Sequence, residues 1–187
     1  MLMFRYLFHA AALFSALIWS SVVLAQQSGI WVHVDTDRQI LTVFDGEVPK
    51  DIFKNIAIGQ GGTTLAKQTG DKKTPLGRYQ ITWVNHKSRY RTFYGFNYPS
   101  LEDAERALAD GRTTKSIAKQ IKIAHQQHKV PSQHTGLGGM LGIHGLGRAD
   151  PSLHKRMNWT RGCIALTNPQ IDRLGKWIKT GTLVLVQ

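Results

Sequence analysis

The sequence has little cysteine and few carboxylates. Cys163 is the only cysteine in 187 residues, which excludes a disulfide within the chain. Asp and Glu number 12 against 24 Lys and Arg, so the formal net charge is +12. A surplus of this size favours an anionic partner such as a cell-wall polymer, lipid headgroups or nucleic acid. Nucleic acid is the least favoured of these, because no nucleic-acid-binding module is recognisable in the sequence.

Long apolar runs are also scarce, and the one at the amino terminus has the three parts of a secretory signal. Arg5 supplies the positive charge, residues 10–24 carry none, and Val23-Leu24-Ala25 resembles a cleavage site. This run is shorter than the roughly 20 residues that cross a bilayer. We therefore predict a signal peptide over residues 1–25, cleaved after Ala25, and an exported protein of the periplasm or cell envelope. No stable membrane span is predicted after cleavage.

Residues 26–187 are predicted to form one domain that is mainly β with added helices, an α+β fold. Apolar runs, several of them alternating, predict strands at 30–34, 39–44, 52–58, 78–84, 140–144 and 182–186. Asn168 and Pro169 predict the start of a C-terminal helix before the last strand.

The middle of the chain changes character. Ser100 precedes an alanine-rich segment with acidic residues in its first turn, which predicts a capped helix. Residues 114–129 predict a second helix. These helices form a predicted insertion at about residues 86–139, which either covers one face of the sheet or closes over a site as a lid.

Cys163 and His144 form the candidate catalytic pair. A lone cysteine in an exported protein is either reactive or an inert core residue. A reactive thiol needs a base to take its proton, and His144 precedes Cys163 by 19 positions. That separation leaves room for a strand end and a loop that returns to the same place. The spacing alone keeps the inert alternative open.

The residues before the cysteine suit a carbonyl substrate. In the run Thr160-Arg161-Gly162-Cys163, Gly162 leaves space for a substrate backbone. The backbone amides of Arg161, Gly162 and Cys163 are candidate donors to an oxyanion. Trp159 is the candidate for lining the cleft.

Several segments in a fixed order resemble the catalytic domain of the L,D-transpeptidases, the YkuD family. Ile143-His144-Gly145 and then residues 160–168 resemble the family's His…[Ser/Thr]-x-Gly-Cys signature. Residues 73–79 are similar to its Lys-Thr-Pro-x-Gly-x-aromatic segment, residues 30–46 to its first strands, and residues 181–185 to its closing Gly-Thr and strand. The resemblance covers nearly all of residues 29–187 and implies one β-sandwich or barrel-like catalytic domain over residues 26–187.

The resemblance implies an acyltransferase that acts on peptidoglycan stem peptides without a metal or an organic cofactor. It assigns Cys163 as the nucleophile that forms a thioester, His144 as base and acid, and the Gly145 carbonyl as the group that orients the imidazole. Thr160, Arg161 and Gly162 fall in the oxyanion and substrate-binding segment. The acyl group then passes to an amine on a neighbouring stem or an envelope protein, which crosslinks or remodels the wall and so affects cell shape.

Two alternatives stay open beside this assignment. An L,D-carboxypeptidase or endopeptidase of the same fold passes the acyl group to water. A non-catalytic module binds the wall through its cationic surface and leaves the cysteine inert.

Two positions depart from the family pattern. Ala165 stands where most relatives carry Arg, and Arg161 stands where His is frequent. Arg148, Arg156 and Arg161 are the candidates to supply the missing cation, and Arg148 and Arg161 are counted among the substrate-binding residues.

Three other motifs are given structural interpretations. His125 and His128, with Cys163 as a third ligand, lack an acidic partner at the spacing of a zinc protease, so no metal site is predicted. Residues 59–62 lack the Gly-Lys-[Ser/Thr] ending of a phosphate-binding loop and predict a turn. Trp83 and Trp177 are predicted to pack in the core.

Overall fold

The computed structural model describes residues 29–187, and the predicted signal peptide lies outside them. The strands are β1 (Ile30–Asp35), β2 (Ile40–Asp45), β3 (Val48–Lys54), β4 (Thr63–Thr64), β5 (Thr74–Pro75), β6 (Gly77–Ser88), β7 (Arg91–Phe96), β8 (Gly142–His144), β9 (Ile164–Ala165) and β10 (Leu183–Val186). The helices are α1 (Leu101–Ala109), α2 (Lys115–Gln126), α3 (Pro151–Arg156) and α4 (Asn168–Leu174). Across the described range, no helix combines the length and apolarity of a membrane span.

Eight strands form one mixed sheet in the order β3-β2-β1-β10-β6-β7-β8-β9. The pairs β1–β10 and β8–β9 are parallel, and the others are antiparallel. The mixed α+β fold predicted from the sequence is confirmed. The parallel pair β8–β9 lies at one edge of the sheet, where β8 ends with His144 and Cys163 directly precedes β9.

The main core is one cluster of buried apolar side chains from the sheet and from α4. Val32 and Val34 in β1 and Leu41 and Val43 in β2 are fully buried, as their alternation predicts. Ile171 and Leu174 of α4 belong to the same buried cluster. Ile143 of β8 is in this cluster too, so the strand that carries His144 is anchored in the largest apolar cluster of the described residues.

The helical insertion is shorter than predicted. Residues 86–96, which the sequence placed inside it, form the end of β6 and all of β7. The last four residues of β7, Phe93–Phe96, are all buried. A strand covered on both faces shows no alternation of polar and apolar residues, which is why the pattern did not reveal it.

Helix α1 is capped by Ser100, as its sequence predicts. Helix α2 is capped by Thr114, which the sequence placed inside the helix, and it ends at Gln126. They pack on each other and share a small separate core of Ala104, Ala107, Ile121 and Leu137.

Helix α4 is capped by Thr167, not by Asn168. The side chain of Asn168 is used elsewhere: it accepts from the Gly147 N–H and donates to the Gly147 carbonyl, both at 2.8 Å. Helix α3, with Asp150 as its cap, was not predicted.

Truncation of a core residue in β8 tests this architecture. Ile143 is fully buried beside His144, so Ile143→Ala leaves a cavity and is expected to lower the free energy of unfolding by about 2–5 kcal/mol. Urea denaturation measures the change. Val48→Ala, at a position with 56% exposure, is the matched control and should cost less than about 0.5 kcal/mol. Equal losses would contradict the assignment of Ile143 to the core.

Candidate active site

Parallel pairing of β8 and β9 brings His144 and Cys163 together. His144 is opposite Ala165 in the register, and Cys163 comes two residues before Ala165. Both side chains line one cavity of about 910 Å³. The other lining residues are Trp83, Asn85, Lys87, Ser88, Arg89, Tyr90, Phe93, Gly139, Met140, Leu141, Trp159, Thr160 and Arg161.

The imidazole of His144 is held in one orientation. Its Nδ1 lies 2.7 Å from the Gly145 carbonyl oxygen. Because a carbonyl only accepts, Nδ1 must carry the proton and Nε2 keeps its lone pair. Tyr90 stacks on the ring at 4.3 Å between centroids, and Trp159 meets it edge-on at 5.8 Å.

His144 is neutral at pH 7. Its side chain is 2% exposed, and burial lowers its pKa to about 4. The bond to Gly145 raises the pKa, while the charges of Arg89 and His154 lower it further. A neutral imidazole with a free Nε2 is able to accept a proton.

The thiol of Cys163 is neutral at rest as well. It is half-buried and donates to the Met140 carbonyl at 3.4 Å. Burial raises the pKa of the thiol to about 11, although a hydrogen bond from the Gly142 N–H and the charge of Lys67 lower it. A group with this pKa attacks a carbonyl only if its proton leaves as the new bond forms.

Thr160 folds the turn that carries the cysteine. Its hydroxyl accepts from the Gly162 N–H at 3.1 Å and donates to the Cys163 carbonyl at 2.7 Å. The sequence predicted the Gly162 N–H as a donor to an oxyanion. In the structure this N–H is already bonded to Thr160 and is not free for that role. Within residues 29–187, the N–H groups of Arg161 and Cys163 have no acceptor and are the donors that remain.

Glycine is required at two positions of this site. Gly162 has a φ of +126°, and a Cβ there would lie 2.6 Å from the Lys73 carbonyl oxygen. At Gly145, a Cβ would lie 2.8 Å from both a methyl of Ile171 and the Tyr90 carbonyl oxygen. The turn beside the thiol and the residue after the imidazole are thus closed to larger side chains.

The three candidate arginines occupy different places. Arg161 lines the catalytic cavity with an exposed side chain. Arg148 lines a neighbouring cavity of about 510 Å³ that shares Lys87, Ser88 and Arg89 with the first. Arg156 lines neither of these two cavities. Ala165 is fully buried, so this position belongs to the core.

The hairpin tip between β6 and β7 contributes residues that the sequence did not single out. Lys87 and Arg89 bring positive charge, and Arg89 lies over the Tyr90 ring at 4.7 Å from its centroid. No local pattern marks these residues, because the tip reaches the cavity only through the long hairpin.

The three tryptophans are only partly where the sequence predicted them. Trp159 lines the cavity and donates to Nδ1 of His154 at 3.2 Å. Trp83 also lines the cavity, stacked on Phe93 at 4.8 Å, so its predicted place in the core is wrong. Trp177 is partly buried against the core and donates to Asp51.

Neither α1 nor α2 lines the catalytic cavity. The two helices therefore do not cover the site, and the segment after them reaches the cavity only at Gly139–Leu141. His125 in α2 is 2.8 Å from the Pro99 carbonyl oxygen. Across residues 29–187, no three His, Cys, Asp or Glu side chains cluster as a metal site would require.

The family model of the YkuD L,D-transpeptidase catalytic domain matches residues 29–186. The chain belongs to this family. The match includes every strand and helix described above. No curated protein sequence is significantly similar to the chain.

Solved structures share the fold at low sequence identity. The helical cell shape determining protein Pgp2 from Campylobacter jejuni superposes with a TM-score of 0.56 at 24% identity, over 85% of this chain and 47% of that one. Bd1075 from Bdellovibrio bacteriovorus gives 0.55 at 21% identity, over 86% and 48%. The chain thus spans about half the length of these relatives.

The buried imidazole predicts how stability depends on pH. The pKa of His144 is about 4 in the folded state against 6.5 for a free histidine, so between these values only the unfolded state binds the proton. Stability is full above pH 6.5 and falls as the pH approaches 4. From pH 7 to pH 5, the native protein should lose about 2 kcal/mol more than His144→Gln in urea unfolding.

A matched variant controls this experiment. His134→Gln removes an exposed histidine and should keep the acid-dependent loss of the native protein. A loss in His144→Gln as large as that of the native protein would show that another group carries the effect.

Proposed function

We propose that this protein is a cysteine-dependent L,D-transpeptidase that acts on peptidoglycan stem peptides through a thioester at Cys163. One observation carries the proposal: a thiol and an imidazole with a free Nε2 line the same cavity. Membership of the YkuD family supports the reaction class and the substrate. The proposal includes cleavage of the signal peptide and work in the periplasm or cell envelope.

The geometry suggests the order of proton transfers. Nε2 of His144 takes the thiol proton while the sulfur attacks the carbonyl before the terminal D-alanine. The N–H groups of Arg161 and Cys163 are available for the oxyanion. Collapse of the intermediate breaks the C–N bond, and His144 returns the proton to the leaving amine. An acceptor amine then attacks the thioester and releases the thiol.

The electrostatics of the cavity suit an anionic substrate. Lys87, Arg89, Arg148 and Arg161 line the catalytic cavity or its neighbour, and within residues 29–187 no Asp or Glu lines either one. Arg91 also lines the second cavity and is paired with Asp172 at 2.6 Å. Stem peptides bear several carboxylates, which such a surface attracts and orients. Because Pgp2 is a cell shape determining protein, the proposal includes a role in cell shape for this protein.

Acyl-enzyme formation tests the nucleophile. Incubation with a carbapenem should add its mass at Cys163, measured by intact-mass and peptide mass spectrometry. Cys163→Ala should show no addition. His144→Gln should acylate about 10²–10⁴-fold more slowly, because the proton then has no positioned acceptor.

His134→Gln again serves as the matched control and should acylate at the native rate, because its side chain is exposed and does not line the cavity. Addition to Cys163→Ala would show that the reactive group lies elsewhere. Absence of addition to the native protein would support the wall-binding module with an inert cysteine.

The fate of the acyl group is tested with a tetrapeptide muropeptide, with and without an amine acceptor. Crosslinked or exchanged products in the presence of the amine support transpeptidation. Tripeptide as the sole product under both conditions would replace the proposal with an L,D-carboxypeptidase.

The cationic residues give a separate prediction. Lys87→Gln combined with Arg148→Gln should raise KM for the muropeptide about three- to tenfold, because two charges that attract the substrate are lost. Lys119→Gln combined with Lys122→Gln removes the same charge from the exposed face of α2 and should leave KM within about twofold. Equal increases in both double variants would assign the effect to net charge alone.

A further inference from the structure

Lys67 is a buried cation that the proton transfers above do not use. Its side chain is 5% exposed, and no other Lys or Arg is buried among residues 29–187. Burying an ammonium group costs free energy unless a partner compensates it. The role of Lys67 therefore depends on which group compensates its charge and on which residues it contacts.

The partner is Asp71. Nζ of Lys67 pairs with the Asp71 carboxylate and also donates to the Gln68 carbonyl at 3.4 Å. The carboxylate accepts from the backbone N–H groups of Gln68 and Lys73, at 2.8 and 2.9 Å. Although burial raises the pKa of Asp71, the bonds from Lys67, Lys73 and Gln68 hold it below its usual value. The Asp71 carboxylate is therefore ionised at neutral pH, and its bonds close the turn from Lys67 to Lys73.

The side chain of Lys67 lies beneath the nucleophile. A Cβ on Gly162 would be 3.3 Å from Cε of Lys67, and a Cβ on Gly138 would be 3.7 Å from the same atom. Gly162 precedes Cys163, and Gly138 is two residues before Met140, whose carbonyl accepts the hydrogen bond from the thiol. The lysine thus supports both segments that contact the sulfur.

The helical insertion fixes this lysine from the other side. Nη1 of Arg112 donates to the Lys67 carbonyl at 3.2 Å. Thr69 donates through its N–H to the Gly136 carbonyl and through its hydroxyl to the Thr135 carbonyl, both at 2.9 Å. The turn is held at several points, which fixes the position of the buried charge.

The other titratable groups near Cys163 are either neutral at pH 7 or exposed to solvent. His144 on β8, Lys87 and Arg89 at the hairpin tip and Arg161 line the same cavity as Cys163. Lys73 approaches Gly162 with its carbonyl oxygen, and its side chain is exposed. His144 is neutral at pH 7. Solvent screens the four exposed cations, whereas the Lys67 ammonium is removed from water. Lys67 lowers the pKa of the Cys163 thiol, against the larger effect of burial.

We propose that Lys67 is a positioning residue for Cys163. Its ammonium, paired with Asp71 beneath the Gly162–Cys163 turn, fixes that turn and supplies the buried positive charge that favours negative sulfur. His144 still removes the proton, and Lys67 stabilises the charge that remains on the sulfur during attack. The inference rests on the proposed function in taking Cys163 as the nucleophile.

The rate of alkylation by iodoacetamide tests the charge directly, because Cys163 is the only thiol in the chain. Lys67→Met removes the ammonium and keeps the apolar stem, so it should slow alkylation at pH 8 about tenfold, as a rise of one pH unit in the thiol pKa would. Asp71→Asn removes the opposing carboxylate and should speed alkylation several-fold. A purely structural role for the pair predicts the same direction of change in both variants.

Two further variants complete the test. Lys67→Arg keeps the charge and should alkylate within about twofold of the native rate. Lys73→Met removes an exposed cation of the same turn and should also stay near that rate, because solvent screens its charge. Circular dichroism shows whether Lys67→Met folds. If it does not, faster alkylation of Asp71→Asn with a near-native rate for Lys67→Arg supports the proposal, and any other result for these two variants overturns it.

The outcomes separate this inference from the proposed function. Opposite shifts in Lys67→Met and Asp71→Asn support the inference, and unchanged rates or shifts in one direction overturn it. Alkylation needs no muropeptide. A native protein that transfers stem peptides while Lys67→Met alkylates normally would refute the role of Lys67 alone. Opposite shifts without any reaction on muropeptides would refute the proposed function alone.

Discussion

Parallel pairing between β8 and β9 is the interaction on which the rest of the site depends. Parallel strands require a long crossover connection, and here it contains α3 and leads into the turn before Cys163. The register sets His144 opposite Ala165, while Ala165 also pairs with Ala57 on its other side. A fully buried alanine between two backbones lets these segments approach closely. The cost is that no charged side chain is present at that position.

The positive charge around the site comes from two kinds of residue. Exposed cations come from the β6–β7 hairpin and from the loops after β8 and before β9, where a substrate can meet them. The buried cation comes from Lys67, which no strand of the main sheet carries. The exposed cations and the buried Lys67 act differently, because solvent screens the exposed charges and not the buried one. The first suits attraction of an anionic peptide, and the second suits stabilisation of the sulfur.

The helical insertion supports the site without covering it. Its helices have their own small core, and their connection and the loop after them hold the turn of Lys67 through Arg112, Thr135 and Gly136. In α1, the buried carboxylate of Asp103 caps the helix and accepts from Tyr79 in β6. The insertion is thereby bonded both to the sheet and to the turn beneath the nucleophile. What closes over the imidazole is Tyr90 of the hairpin tip.

The sequence by itself determined most of the strands and the α+β class, and its resemblance to the YkuD family predicted Cys163 and His144 as the reactive pair. Alternating residues, helix caps and glycine-rich motifs are local signals, and they survive without knowledge of the fold. Tertiary structure alone decided that β7 is a strand, that Asn168 binds Gly147 and that Gly162 donates to Thr160. It also decided that Lys67, Arg89 and Tyr90 reach the site. Burial on both faces hides a strand's alternation, and contacts between distant segments depend on the packing of the whole chain, which no window of neighbouring residues contains.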